Sequence, residues 1–503
     1  MTTLKVVLVK PSKYAVDGYV ERFKLGFMPN ATLYHIAGLT PEYIGSTKVV
    51  THTIDEYVRE NLEYLELLKP DPDPDCITIV ALVGVQTHQF HRALDLAAYA
   101  HSNGIRHCII GGPHPMTCDT TQLHNLGISF ALAEAEVIWN EILDDALTGD
   151  LKPVYGLNNR WAMTIDGPVI EPPSQNELDH YIIPLLGLYP VRGCPYDCNY
   201  CSVIKISGQQ VRSTAIEYTI ESLTLAKKAG IKFIFFVSDN FNKYPEAVLL
   251  LEEMIARQMQ IPFSCQCDAQ IVRQPEFVEL LGRAGCHEMF VGVESFDKKT
   301  LREAKKFHNQ PNNYKQIVSF CSKAGISAHF SNIIGFPNDT KESIQEQLET
   351  IQLLRPAIAS FYILTPIPGT EQYADYISQG LIIEENIDRY DATNLTWRHP
   401  NFSPHEMSEL LFRCYIDFYT HSLKTRNLSE DNRTTALAFR HFAKQGMHPM
   451  SGGTGKRIVD HINDYIELRK KRFGIELVQL PKNLELSPSD KLINKGKDWK
   501  LAN

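Results

Sequence analysis

Cys194, Cys198 and Cys201 stand in the stretch CPYDCNYC, three of the eleven cysteines of a 503-residue chain within eight positions. Thiolates bind soft metals. A closed structural zinc site takes four ligands, commonly as two close pairs. Here the spacing is x3 then x2, and no fourth Cys or His lies nearby. Three thiolates suit a four-iron–four-sulfur cluster with one iron left open for a substrate or cofactor.

The triplet follows an apolar run at 185–191 that reads as a strand. Further strand patterns lie at 232–237, 262–268, 288–294, 327–335 and 360–365. Helical patterns fall between them at 214–229, 245–259, 275–285, 297–324 (interrupted near Pro311) and 340–354. A full barrel of this type has eight strand–helix units in about 250 residues. Six units predict a partial, open (β/α)6 barrel of TIM-like type, with the triplet loop at the carboxyl ends of its strands. In PFSCQCDA, period-two alternation puts Ser264, Gln266 and Asp268 on one face and Cys265 and Cys267 on the other. Gln266 and Asp268 are therefore expected to line the site, and the two cysteines to pack in the core.

The first 150 residues also alternate. Strands are expected at 4–11, 47–55, 76–85 and 105–115, with a helix at 89–104 and a short strand plus helix across 128–149. This pattern predicts an α/β fold that begins with a doubly wound, Rossmann-like parallel sheet, whose ligands sit at the strand carboxyl ends, near 10–13, 84–88 and 111–114. The expected division is a Rossmann-like domain over 1–150, a linker over 151–182 with a hairpin at Asp166–Gly167, the partial barrel over 183–390, and a mostly helical region over 391–503. That last region is a candidate element of the substrate pocket.

Composition narrows the field. The chain is 44% hydrophobic and 22% charged with a net charge of −9, which argues against a nucleic-acid partner. The basic run RKKR at 469–472 reads as a solvated helix face. The longest apolar run, CITIVALVGV, is roughly half a membrane span. No secretory signal is read in MTTLKVVLVKPSKY, so a cytoplasmic setting with reduced thiols is expected. DPDPD (71–75) lacks the glycine and glutamate of a calcium loop. His88 and His91 lack a third ligand and read as surface or core histidines. GGTGKR (452–457) lacks the hydroxyl and the preceding strand of a phosphate loop.

With these residues in view, CPYDCNYC resembles the signature of radical S-adenosylmethionine (SAM) enzymes. The resemblance implies that Cys194, Cys198 and Cys201 hold a [4Fe-4S] cluster whose fourth iron is chelated by SAM. It further implies that the reduced cluster cleaves SAM to a 5′-deoxyadenosyl radical. Tyr200 matches the aromatic residue before the last cysteine. FFVSDNF places Ser238, Asp239 and Asn240 where the family binds the SAM amino group. FVGVESF aligns Glu294 and Ser295 with the segment facing the ribose and methionyl part, and SNIIGFPNDT aligns Ile334 and Gly335 with the segment flanking the adenine. The N-terminal layout is similar to the cobalamin-binding domain that precedes the barrel in one large class of these enzymes. There Gln86, Thr87, Gly111, Gly112, Pro113 and His114 fall at the corrin edge. The Asp-x-His-x-x-Gly loop that ligates cobalt is absent, the chain reading KPSKYAVDGY instead.

The resemblance thus implies a cobalamin-dependent C-methyltransferase acting on an unactivated carbon of a small-molecule or natural-product substrate, with a flavodoxin or ferredoxin as electron donor. Two other readings stay open: a radical cyclase or oxidase with or without cobalamin, and a non-catalytic iron–sulfur or corrinoid carrier.

Overall fold

A computed structural model describes residues 2–15, 18–59, 62–124, 126–162, 167–450 and 462–473. The first sheet has seven strands: β1 (Thr3–Lys10), β2 (Tyr43–Ile44), β3 (Thr47–Asp55), β4 (Cys76–Leu82), β5 (His107–Gly111), β6 (Ser129–Ala131) and β7 (Val154–Tyr155). Their order is β2-β3-β1-β4-β5-β6-β7, parallel except for the β2–β3 pair. β1 is central and buried on both faces, which is why LKVVLV reads as a continuous apolar run. After β3 the chain crosses to the other side of β1 to form β4. The switch point therefore lies between the carboxyl ends of β1 and β4, where open α/β sheets bind ligands. Val154–Tyr155, expected as linker, instead extends this sheet by pairing with Phe130 and Ala131. The hairpin expected at Asp166–Gly167 falls partly outside the described residues.

The second sheet is built from β8 (Leu186–Leu188), then, past a small ribbon of β9 (Val191–Arg192) and β10 (Arg212–Ser213), from β11 (Ile234–Phe236), β12 (Phe263–Cys267), β13 (Cys286–Glu294), β14 (Ser327–Ile334) and β15 (Ile358–Ile363). Its six strands are all parallel and run in chain order, and β8 does not pair with β15. This is the open six-stranded barrel expected from the sequence. Helix Ala31–Leu39 of the first domain lies directly on its first strand. A Cβ at Gly187 would sit 2.4 Å from Ala31 Cβ, so only glycine permits that approach.

An open barrel leaves an edge strand with unpaired backbone groups, a liability that must be covered. Helices Pro404–Thr425 and Glu430–Lys444 cover β15. Tyr419 Oη accepts from Ala359 N at 3.1 Å and donates to Ala359 O at 2.8 Å. Tyr415 Oη does the same for Phe361, at 3.0 and 3.2 Å. Two phenols thus stand in for a seventh strand. The double variant Y415F/Y419F strands two N–H groups in the core and is expected to cost about 2 kcal/mol or more. A denaturant midpoint unchanged from wild type would contradict this.

Candidate functional site

β9 and β10 pair antiparallel, Arg212 opposite Arg192, and so clamp the two ends of the cysteine loop. Gly193 N donates to Asp239 Oδ2 at 2.7 Å, and Cys194 N to Gly208 O at 3.1 Å. Asn240 Nδ2 donates to Cys194 Sγ at 3.0 Å. Cys201 N closes a turn on Cys198 O at 3.1 Å. All three cysteines are half-buried and unbridged. Burial pushes the Cys198 thiol up to about 11 and Cys201 up to about 12, each raised further by the neighbouring cysteines, and it raises Cys194. Lys306 opposes the rise at each of the three.

Among the described residues no three His, Cys, Asp or Glu side chains converge on one ion position. A cubane needs no such convergence, because each cysteine binds a different iron. Three half-buried thiols on one loop, with no fourth Cys or His converging on them among the described residues, fit a cluster that binds one thiolate per iron.

Around the loop, the residues expected to bind SAM divide. Ser238 is 3% exposed and its hydroxyl has no partner among the described residues, a polar atom left for a ligand. Ser238, Asp239 and Gln266 line the main cavity. Asp268 caps the short turn that follows β12, accepting from Gln270 N at 2.6 Å, and lies 3.6 Å from Lys243. Glu294 is not solvated. It is buried, holds Lys306 at 2.7 Å, and takes a left-handed backbone angle of φ 61° where β13 bulges against β14. Ser295 Oγ accepts from Asp297 N at 3.1 Å. Gly335 N donates to Asp339 Oδ2 at 2.8 Å, and Ile334 packs into the apolar cluster shared with the C-terminal helices. Tyr200 Oη lies 3.4 Å from Lys306 Nζ. Cys265 and Cys267 are in the core with Cys286 and Cys321.

The cavity, about 530 Å³, lies between the switch point of the first sheet and the barrel mouth. Its sheet-side wall is paved with small residues, Ala81, Gly84, Gly111, Gly112, Ala131 and Ala133, together with Lys10, Gln86 and Pro113. Its far wall is Tyr189, Arg192, Phe235, Ser238, Asp239 and Gln266. The stretch of wall made of alanines and glycines leaves room for a broad, flat ligand laid on the strand ends. Thr87 and His114 do not reach it. They face each other at 3.4 Å in the core, where the His114 ring packs 4.0 Å from Phe90. The histidine on the lining, His35, has its Nε2 engaged by Glu136 at 2.7 Å and Arg192 at 3.0 Å. Lys10 Nζ donates to Gly84 O and to Gln89 Oε1 at 2.7 Å, and burial lowers its pKa to about 8.

Several residues at the site carry no sequence motif. Arg192 joins Glu136 through 2.6 and 2.9 Å contacts, and Arg212 grips Glu134 with two bonds of 2.7 Å. These buried pairs weld the first domain to the ribbon that leads into the cysteine loop. Below the mouth, on the same face as Gln266 by strand register, His329 bridges Glu288 at 2.7 Å and Ser360. The RKKR run is not simply a solvated face: Arg469 is fully buried and pairs with Asp95 at 2.8 Å. His91 is a core histidine 3.0 Å from Asp388, and His88 is half-buried.

Buried histidines set an acid limit. Burial lowers His114 to about 3, and His88 and His448 to about 4, from 6.5. The unfolded chain takes up protons on these groups below about pH 6.5, and the folded chain does not until near pH 4. Stability is therefore full above pH 6.5 and falls with pH, by about 2 kcal/mol per histidine between pH 7 and 5. Burial raises Asp95 and Asp339 to about 6. These two oppose the loss by about 1 kcal/mol each. The melting temperature is expected to drop from pH 7 to 5; a constant or rising value contradicts this.

Residues 188–351 match the Radical SAM superfamily. The matched segment contains the cysteine triplet and strands β11 to β14. The chain is 24% identical over 416 residues to the bacteriochlorophyllide d C-8(2)-methyltransferase of Chlorobaculum tepidum, covering 78% of this chain and 88% of that one. It is 27% identical over 309 residues to the C-12(1)-methyltransferase of the same organism, covering 59% and 64%. Among solved structures it shares the fold of TsrM from Kitasatospora setae, a radical SAM methyltransferase with cobalamin and a [4Fe-4S] cluster bound, at TM-score 0.62 and 15% identity over 88% of this chain and all of that one. It also shares the fold of the cobalamin-dependent enzyme OxsB with aqua-cobalamin bound, at TM-score 0.59 and 16% identity over 99% and 85%. No helix among the described residues is long and apolar enough to cross a membrane.

Proposed function

We propose that this chain is a cobalamin-dependent C-methyltransferase that acts on an unactivated carbon of a small organic substrate. One observation carries the reading: a single cavity has the switch-point edge of the first sheet as one wall and Ser238, Asp239 and Gln266 of the barrel mouth as the other. A corrin on the first wall and SAM on the second would face a common space. The methyltransferase names of relatives aligned across most of the chain support the same reading.

When bound, the cluster and SAM supply a hydrogen-abstracting 5′-deoxyadenosyl radical, and cobalamin supplies the methyl group. The residues of this chain hold and orient. Cys194, Cys198 and Cys201 anchor the cluster. Asn240 fixes Cys194 through its sulfur, and Asp239 fixes the loop through Gly193 N. Ser238 offers an unfilled hydroxyl to SAM. Gln86, Gly111, Gly112 and Pro113 would hold the corrin, and Lys10 lines the same wall. The Arg192–Glu136 and Arg212–Glu134 pairs keep the two walls in register. The reductant is a one-electron carrier of the flavodoxin or ferredoxin class.

The test is incubation of reconstituted, cobalamin-loaded protein with reductant, candidate tetrapyrrole or isoprenoid substrates and SAM carrying a deuterated methyl group. A product heavier by one labelled methyl, with 5′-deoxyadenosine, is expected. 5′-Deoxyadenosine with an unmethylated, oxidised product would assign a radical cyclase or oxidase instead. No 5′-deoxyadenosine would leave only a carrier role.

A further inference from the structure

Resting on the reading above, the cluster needs one electron from outside, and electron transfer demands that the donor dock close to it. The segment 297–309, DKKTLREAKKFHN, packs directly against the cysteine loop. Asn199 N donates to Ala304 O at 3.3 Å and Asn199 Nδ2 to Glu303 O at 3.1 Å. The rings of Tyr196 and His308 stack with centroids 3.5 Å apart and planes 12° apart. From the same turn Lys306 points inward to Glu294 and Tyr200. One face of this segment therefore touches the loop that holds the cluster.

The other face is open. Phe307 is 64% exposed, the largest exposure of any aromatic residue described. Lys298, Lys299 and Arg302 are exposed along the helix Lys298–Glu303. Lys299 is 3.8 Å from Glu303, and Lys305 is held by Glu371, but Lys298 and Arg302 make no ion pair among the described residues. The chain as a whole carries a net charge of −9, yet this segment has five basic residues against two acidic ones. An exposed aromatic on the same short segment as an exposed, unpaired Arg and Lys has the composition of an interface centre.

We propose that this face, centred on Phe307 with Lys298 and Arg302, is the docking surface for a small acidic one-electron carrier protein. The basic patch selects an acidic partner and steers its approach. Phe307 supplies the apolar anchor. In the transfer the carrier's reduced centre loses one electron and the oxidised cluster gains it; no bond is made or broken.

The test uses full-length protein with its cluster reconstituted and the hydroquinone of a recombinant bacterial flavodoxin as probe. Stopped-flow bleaching of the cluster gives the rate, and calorimetry with cluster-free protein gives the affinity. For wild type the rate is expected to fall about tenfold or more between low and moderate salt. K298E/R302E and F307A are each expected to slow reduction by flavodoxin about tenfold or more and to weaken binding to the cluster-free protein. Reduction by dithionite, and the 5′-deoxyadenosine it yields with SAM, should stay at the wild-type level in both. Wild-type rates with flavodoxin in both variants, or a rate independent of salt, would overturn the surface. Self-association lost in F307A with an unchanged flavodoxin rate would assign the face to a second copy and also overturn it. If dithionite fails to reduce even the wild type, the radical SAM reading falls first and takes the surface with it.

Discussion

Glu134→Ala is expected to lower the unfolding free energy by about 3–5 kcal/mol, the usual cost of stranding one member of a buried ion pair. The Glu134 carboxylate takes two 2.7 Å bonds from Arg212, a third of 3.0 Å from Ala162 N, and lies 3.6 Å from Arg192. The side chains of Arg212 and Glu134 are 4% and 5% exposed. Removing the carboxylate leaves Arg212 charged, buried and served only by the carbonyls of Ala162 and Ser207. The damage is directional, because Arg212 sits on β10, the strand that clamps the cysteine loop. The variant should lose cluster stability along with global stability. Replacing both partners, E134L/R212M, is expected to recover part of the loss, since an apolar pair carries no stranded charge. Urea unfolding of the two variants decides it. A single variant within about 1 kcal/mol of wild type, or a double variant worse than the single, would contradict the account.

Gly112→Ala is expected to cost about 3 kcal/mol or more and to abolish cobalamin binding at the proposed corrin site. Gly112 has φ 134° and ψ −170°, a region that side-chain-bearing residues rarely enter. A Cβ there would lie 2.2 Å from Val85 N and 2.6 Å from Gly84 C, so backbone and not a rotatable side chain must yield. Gly84 lines the cavity just past the end of β4. Gly149→Ala is the matched control. It also has positive φ, at 86°, but nothing lies within 4 Å of a Cβ there, so about 1 kcal/mol is expected. Cobalamin retained by G149A and lost by G112A is the expected outcome. Equal retention would remove the β4–β5 edge from the corrin site.

The sequence made the scaffold legible because its strands are short apolar runs closed by helices with clear stops, such as Gly149 and Gly285. The cysteine triplet was legible because its spacing is local. Gln266 was legible because strand alternation is local too, and the structure places it on the cavity. The features that are not legible depend on contacts between distant segments. Lys306 looks like one lysine among several in a basic helix, and only the fold brings it to Glu294 and the cysteines. Arg469 reads as part of a solvated run until helix Ile462–Phe473 packs on the first domain and buries it against Asp95. Thr87 and His114 sit at the expected strand ends, yet their side chains turn into the core. Strand-end position alone does not fix side-chain direction where a short helix begins at once, as it does at Pro113.

The measurement closest to the central claim is iron and sulfide content of anaerobically reconstituted protein, wild type beside C194A/C198A/C201A. The account predicts about four irons per chain in the first and essentially none in the second. Equal iron in both would contradict it.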